Sequence, residues 1–161
     1  MRRRASPSSK SGASPHPLAA LLRRTSTYFH HLGMEILDLQ SGHALIRLPF
    51  GDHLRNTAGG MHGGAIASLI DSAGGLAART LVYPTAMATV EFKVNFLAPI
   101  RQGAIVADGN VIHKGRRIAV SEVVVRDEKD RELARWLVTL IVLAADRRAR
   151  GRNEKAKGAK L

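Results

Sequence analysis

No cysteine occurs among the 161 residues, which excludes disulfides, thiolate metal sites and cysteine nucleophiles. Aromatic residues make up only 4% of the chain and none is interleaved with its basic ends, which argues against stacking-based binding of single-stranded nucleic acid. Long apolar runs are missing too. The longest, Trp136 to Ala145, is broken by Thr139 and falls short of the ~20 residues that span a bilayer. Residues 1–17 have no apolar centre of the kind a secretory signal needs. Their Arg- and Ser-rich, acid-free composition suits an organelle transit peptide, but Pro7, Pro15 and Pro17 oppose an amphipathic helix; a disordered tail on a cytoplasmic protein is the expectation, with organelle targeting as the alternative. Acidic residues are scarce, and the net charge is +12. That charge sits mostly at the ends: +4 over residues 1–17, +5 over residues 146–161 and only +3 in between. The pattern predicts two basic tails flanking one domain at 18–145, large enough for its own core, with no specific nucleic-acid partner.

Within that domain, Leu18, Leu21, Leu22, Tyr28, Phe29 and Leu32 repeat at helical spacing, and Gly33 offers a stop. Met34–Leu39 and His43–Phe50 read as two strands around Ser41-Gly42. A helix opens near His62 or Gly63. Ile66, Leu69, Ile70, Ala73, Leu76 and Ala77 make it apolar nearly all round, so it should be buried, and Gly74 and Gly75 inside it suggest a sheet pressed close. From Met87 to Leu97 the period changes to two: Ala88, Val90, Phe92, Val94 and Phe96 are expected on one face, with Thr89, Glu91, Lys93 and Asn95 on the other. Further strands follow at Ala104–His113, Arg117–Arg126 and Glu132–Leu143. The order implies an α+β domain in which a curved antiparallel sheet wraps one central helix.

Chemistry concentrates between Asn56 and Ala78. Gly59, Gly60, Gly63 and Gly64 flank Met61 and His62 at the mouth of the buried helix, where unpaired N–H groups and the helix dipole favour developing negative charge. A carbonyl oxygen docked on the N–H of Gly63 or Gly64 would be polarised as in an oxyanion hole. A phosphate cradle is the competing use, but neither a Gly-Lys-Ser/Thr ending nor a Gly-x-Gly-x-x-Gly spacing after a strand is present. Asp71 is the one acidic residue in the helix. It lies eight residues past Gly63, about 12 Å along the axis at 1.5 Å per residue. Both groups can act on one carbonyl only if they come from two copies of the chain with helices antiparallel across a two-fold axis. The bland alternative is that the glycines form a turn and Asp71 pairs inside the fold, with Arg79 as the nearest cation on the helix.

Asn56, His62-Gly63-Gly64, Asp71, Thr-Val-Glu-Phe-Lys-Val-Asn-Phe-Leu-Ala-Pro at 89–99, Gly103 and Lys-Gly-Arg-Arg-Ile-Ala-Val at 114–120 together resemble the PaaI-type acyl-CoA thioesterases of the hotdog-fold superfamily, over about residues 30–143. The resemblance implies hydrolysis of an acyl-CoA thioester by a homodimer or dimer of dimers, with no metal and no cofactor beyond the coenzyme A of the substrate. It implies that Gly63 donates its N–H to the carbonyl and that Asp71 of the other subunit is general base or nucleophile. By the same resemblance Asn56 orients the thioester or water, His62 supports the loop, and Thr89 stands where relatives often carry serine. Glu91 departs from an aspartate common in that strand. Arg101, Lys114, Arg116 and Arg117 are candidates for the coenzyme A phosphates, arginine being suited to bidentate contacts. Gly64 is a candidate for substrate binding at the helix mouth, and Met61, Leu69 and Ile70 are candidates for the acyl pocket. Two rivals share the fold: a hydratase, which would need a His-Phe-x-x-x-Pro type motif not found here, and a non-catalytic acyl-CoA sensor, for which the 17 residues ahead of the first helix are too few to add a DNA-binding domain.

Overall fold

The computed structural model describes residues 16–143, so both expected tails lie essentially outside the described residues. The chain runs α1 (Pro17–Thr25), α2 (Thr27–His31), β1 (Glu35–Gln40), β2 (His43–Pro49), a single 3-10 turn (Asp52–Leu54), α3 (Gly63–Thr80), β3 (Met87–Phe96), β4 (Ala104–Lys114), β5 (Ile118–Asp127) and β6 (Glu132–Val142). The expected single helix at 18–32 is two. It breaks at Ser26, inside a Thr-Ser-Thr run whose hydroxyls and β-branching disfavour helix interiors, and the stop at Gly33 has φ +75.

All six strands form one antiparallel sheet in the order β1-β2-β4-β5-β6-β3. This is the hotdog architecture: the sheet curls round α3, whose Leu69, Ile70, Ala73, Ala77 and Ala78 are completely buried against it. Burial of an aliphatic side chain such as Leu69 is worth about 1.5–3 kcal/mol. The close approach depends on a strand residue that sequence patterning does not reveal. A Cβ placed on Gly109 of β4 would lie 2.8 Å from the carbonyl carbon and oxygen of Ala73, so helix backbone and strand touch there. Ser121 donates its hydroxyl to the Gly74 carbonyl at 2.9 Å and satisfies both buried groups. At the far end, Thr80 accepts from the Gly42 N–H at 2.8 Å and holds α3 to the β1–β2 turn.

On the sheet, His43 sits between two carboxylates, with Nε2 3.0 Å from Asp108 and Nδ1 3.5 Å from Asp38. The hydrogen bond to Asp108 is the main reason that the imidazole titrates above its ordinary 6.5, burial opposing it. The same bond holds Asp108 below its ordinary 3.8. A raised imidazole value stabilises the fold fully below pH 6.5 and loses that contribution as pH climbs through the folded value. A lowered carboxyl value stabilises above pH 3.8 and fails as pH falls through it. His43→Gln should therefore reduce the thermal midpoint most between about pH 4 and 6.5, and the gap to wild type should close at higher pH. A pH-independent gap in thermal melts would contradict this account.

Candidate functional site

The loop before α3 is built by Asn56. Its side-chain oxygen accepts from Ala58 N at 2.9 Å and Gly60 N at 3.0 Å, while its amide nitrogen reaches the Met61 carbonyl at 3.4 Å. Backbone bonds from Met61 N to Ile100 O (2.8 Å) and His62 N to Leu54 O (2.7 Å) fasten the loop to the body of the domain. Gly59 turns at φ +79, which few other residues adopt at low cost.

His62 is the N-cap of α3, and its Nδ1 accepts from the Gly64 N–H at 2.9 Å. Ala65 N and Ile66 N both turn to the His62 carbonyl, at 2.9 and 3.3 Å. Among the described residues, the donor of this first turn left without an acceptor is Gly63 N–H. The Phe96 ring stands over that glycine, 3.3 Å from where a Cβ would be. The loop thus selects between the two expected donors: the N–H of Gly64 is engaged by His62, and that of Gly63 is open.

Asp71 is reached by a local irregularity. Strict alternation would turn Thr89 away from the face carrying Phe92. A register shift between Thr89 and Glu91 pairs Thr89 with Leu140 and Glu91 with Thr139, leaving Val90 as the extra residue of a bulge. Thr89 therefore faces the helix and donates its hydroxyl to Asp71 Oδ1 at 2.7 Å. Glu91 turns outward and accepts from Thr139 at 2.8 Å. The expected face Ala88, Val90, Phe92 is corrected accordingly, with Met87 and Thr89 joining the inner side.

Asp71 and Thr89 border a cavity of about 180 Å³ open to solvent, whose other walls come from Leu22, Ser26, Phe29, Ser72, Gly75, Leu76, Arg79, Met87 and Leu140. The two helix glycines differ in role. Gly74 is pressed by Val138 and Val123, which a Cβ would meet at 3.1 and 3.2 Å, whereas a Cβ on Gly75 would meet only Leu140 at 3.7 Å. Asp71 does not pair with Arg79, which forms no ion pair among the described residues and whose Nε is buried without a hydrogen-bond partner.

Met61, Leu69 and Ile70, expected along the acyl pocket, are instead core residues, 4%, 0% and 0% exposed. The helix turns them toward the sheet, and the cavity lies on the face bearing residues 71, 72, 75, 76 and 79. The four basic candidates are also separated. Lys114, Arg116 and Arg117 cluster at the β4–β5 turn, while Arg101 lies at the opposite end of β4, beside a cavity of about 1000 Å³ lined also by Lys129, Arg131, Asp127 and Glu128. One chain therefore cannot bring all four to one phosphate group. No group of three or more His, Cys, Asp or Glu among the described residues could hold a metal ion. Nor is any helix among them long and apolar enough to cross a membrane. Leu22, Phe29, Met87 and Arg79 were not anticipated at the site; the i, i+4, i+8 spacing of Asp71, Gly75 and Arg79 is the signal that would have found the last.

A profile of the thioesterase superfamily matches residues 58–134. The Saccharolobus solfataricus protein named "Putative esterase SSO2140" is 33% identical over 107 residues, 66% of this chain and 76% of its own. The 1,4-dihydroxy-2-naphthoyl-CoA hydrolase of Listeria monocytogenes is 27% identical over 69% of this chain and 91% of its own. Among solved structures, the E. coli PaaI protein from the phenylacetic acid degradation operon superposes with a TM-score of 0.74 at 20% identity, over 80% of this chain and 91% of that one, which speaks to fold alone.

Proposed function

The chain belongs to the thioesterase superfamily, and from that premise we propose that it hydrolyses acyl-CoA thioesters to free acid and coenzyme A, at sites formed between two copies of the chain. The observation that carries the reading is the Asp71 carboxylate, held at 2.7 Å by Thr89 on the wall of a cavity. A carboxylate so placed can take a proton from water while the hydroxyl group formed attacks the thioester carbon. The open Gly63 N–H of the second copy would hold the oxygen as it becomes negative. Collapse of that intermediate breaks the C–S bond, and the proton held by Asp71 passes to the departing thiolate. Direct attack by Asp71, giving an anhydride that water then opens, uses the same two groups. Asn56 and His62 act here as positioning residues, since the Asn56 side chain is engaged on the loop and His62 Nδ1 on the cap.

Support for two copies comes from β3. Among the described residues it pairs only with β6, which leaves its other edge open there, and Val90, Phe92, Phe96 and Leu97 along it are 56, 45, 51 and 58% exposed. An unpaired strand edge lined with large apolar groups is a ready-made surface for association. A second β3 laid antiparallel there would continue the sheet and bring each Gly63 toward the other copy's Asp71. Coenzyme A as carrier is supported by the named activity of the Listeria relative. Its phosphates would meet Arg101, beside the Gly63 end of the domain, with Lys114, Arg116 and Arg117 contributing only from a neighbouring copy.

Release of free thiol from a panel of aryl-, short-, medium- and long-chain acyl-CoAs tests the reading. Turnover of aryl- and short-chain thioesters above that of long-chain ones is expected, because roughly 150 Å³ is the space that holds one benzene ring. Hydration of an enoyl-CoA without thiol release would move the activity to the acyl chain, and binding without turnover would make the protein a sensor.

A further inference from the structure

The catalytic reading uses Asp71 and Thr89 at one end of the cavity and leaves Arg79, on the same wall, without a task. Its Nε is sealed from solvent with no hydrogen-bond partner, and no carboxylate among the described residues forms an ion pair with it. Guanidinium is always charged, and a partly buried charge that the fold leaves unpaired is costly unless something from outside meets it. The hydroxyl groups on the wall can donate to an anionic visitor, and the wall's one carboxylate stands at the other end, eight residues from Arg79 along α3. Ser26 and Ser72 are hydroxyl donors, and Asp71, the single carboxylate there, is already engaged by Thr89.

On the reading of this site as a thioesterase, we propose that the acyl group it takes carries a carboxylate at its far end, received by Arg79. Asp71 and Arg79 are eight residues apart in α3, about 12 Å of axis. Helical side chains lean toward the N-terminus, so arginine reaches back toward Asp71. The space left suits an acyl chain of about five carbons in all, counting the thioester carbon and the terminal carboxylate, at ~1.5 Å per bond. Leu22, Phe29, Leu76, Met87 and Leu140 supply apolar contact to its methylenes. A planar, two-pronged cation at one end of a partly apolar slot is a device for choosing a carboxylate over a methyl group, because a neutral acyl group would leave the half-buried guanidinium unmet.

Glutaryl-CoA and valeryl-CoA have the same chain length and differ in that terminal group, so thiol release from the two is the test. The wild type should turn over glutaryl-CoA with kcat/KM at least about tenfold above valeryl-CoA, one well-met charge being worth about that factor. Arg79→Met should lose about tenfold or more on glutaryl-CoA and change less than about threefold on valeryl-CoA, with Arg79→Lys recovering part of the loss. Valeryl- or benzoyl-CoA turned over by the wild type as well as glutaryl-CoA would overturn the role of Arg79 while leaving the thioesterase reading intact. So would an equal fall on both substrates in Arg79→Met, unrelieved by Arg79→Lys. Thiol release from none of them would overturn both readings. The wild-type preference is measured without any variant, so an Arg79→Met chain that fails to fold leaves the test standing.

Discussion

Asp71→Asn is expected to lower kcat for thioester hydrolysis by about 10²–10⁴-fold, with KM little changed. Asparagine has the shape of aspartate and keeps an oxygen that can accept from Thr89, so the 2.7 Å contact and the packing of α3 against β3 survive the change. What is lost is the ability to accept a proton from water or to attack carbon. The loss therefore falls on the chemical step, and a thermal melt should separate it from unfolding by showing a midpoint close to that of the wild type. Steady-state kinetics on a substrate that the wild type turns over well make the comparison. Retention of wild-type kcat in a folded Asp71→Asn chain would remove Asp71 from the reaction and with it the reason for reading this cavity as the reacting end of the site.

The architecture was legible because its determinants are periodic and local. The apolar run from Ile66 to Ala77 can only be a buried helix, and the four strands after Tyr83-Pro84 alternate between turns of Gly, Lys and Asp that admit little else. The site was legible as residue types at the helix mouth, Gly63 and His62 above all, because helix ends have fixed chemistry: four donors lack partners, and a side chain at the N-cap takes one of them. What escaped depends on where faces point. One inserted residue, Val90, reverses the direction of Thr89, and bulges carry no composition signal of their own. Leu69 and Ile70 share the helix with Asp71, and a helix apolar all round does not say which face meets the sheet and which a ligand. The basic residues were grouped by charge, whereas the eleven extended residues of β4 separate Arg101, just before the strand, from Lys114 at its end. Even Gly74-Gly75, read as one tight contact, is one contact and one cavity wall.

Replacing Gly63 by proline offers a way to remove one hydrogen and little else. Position 63 is the first residue of α3, where proline is favoured, and the preceding His62 has φ −65 and ψ 134, the extended geometry that proline demands of its neighbour. The Phe96 ring at 3.3 Å must give slightly. Gly63→Pro is expected to cost about 10²–10³-fold in kcat, the usual effect of one lost oxyanion donor. Mixed with Asp71→Asn chains, it should do more. With sites shared across a two-fold axis, a hybrid dimer has one site lacking both groups and one that draws an intact Gly63 from the Asp71→Asn chain and an intact Asp71 from the Gly63→Pro chain. Unfolding and refolding an equimolar mixture makes about half of the dimers hybrid, so activity should rise from near zero to about a quarter of the wild-type level. Two groups of one chain acting together would give no recovery at any mixing ratio, since every site would then lack one of them. The distance along α3 makes the expectation firm: about 12 Å of rigid helix separates the donor from the carboxylate, several times the span from a carbonyl oxygen to the water that attacks its carbon.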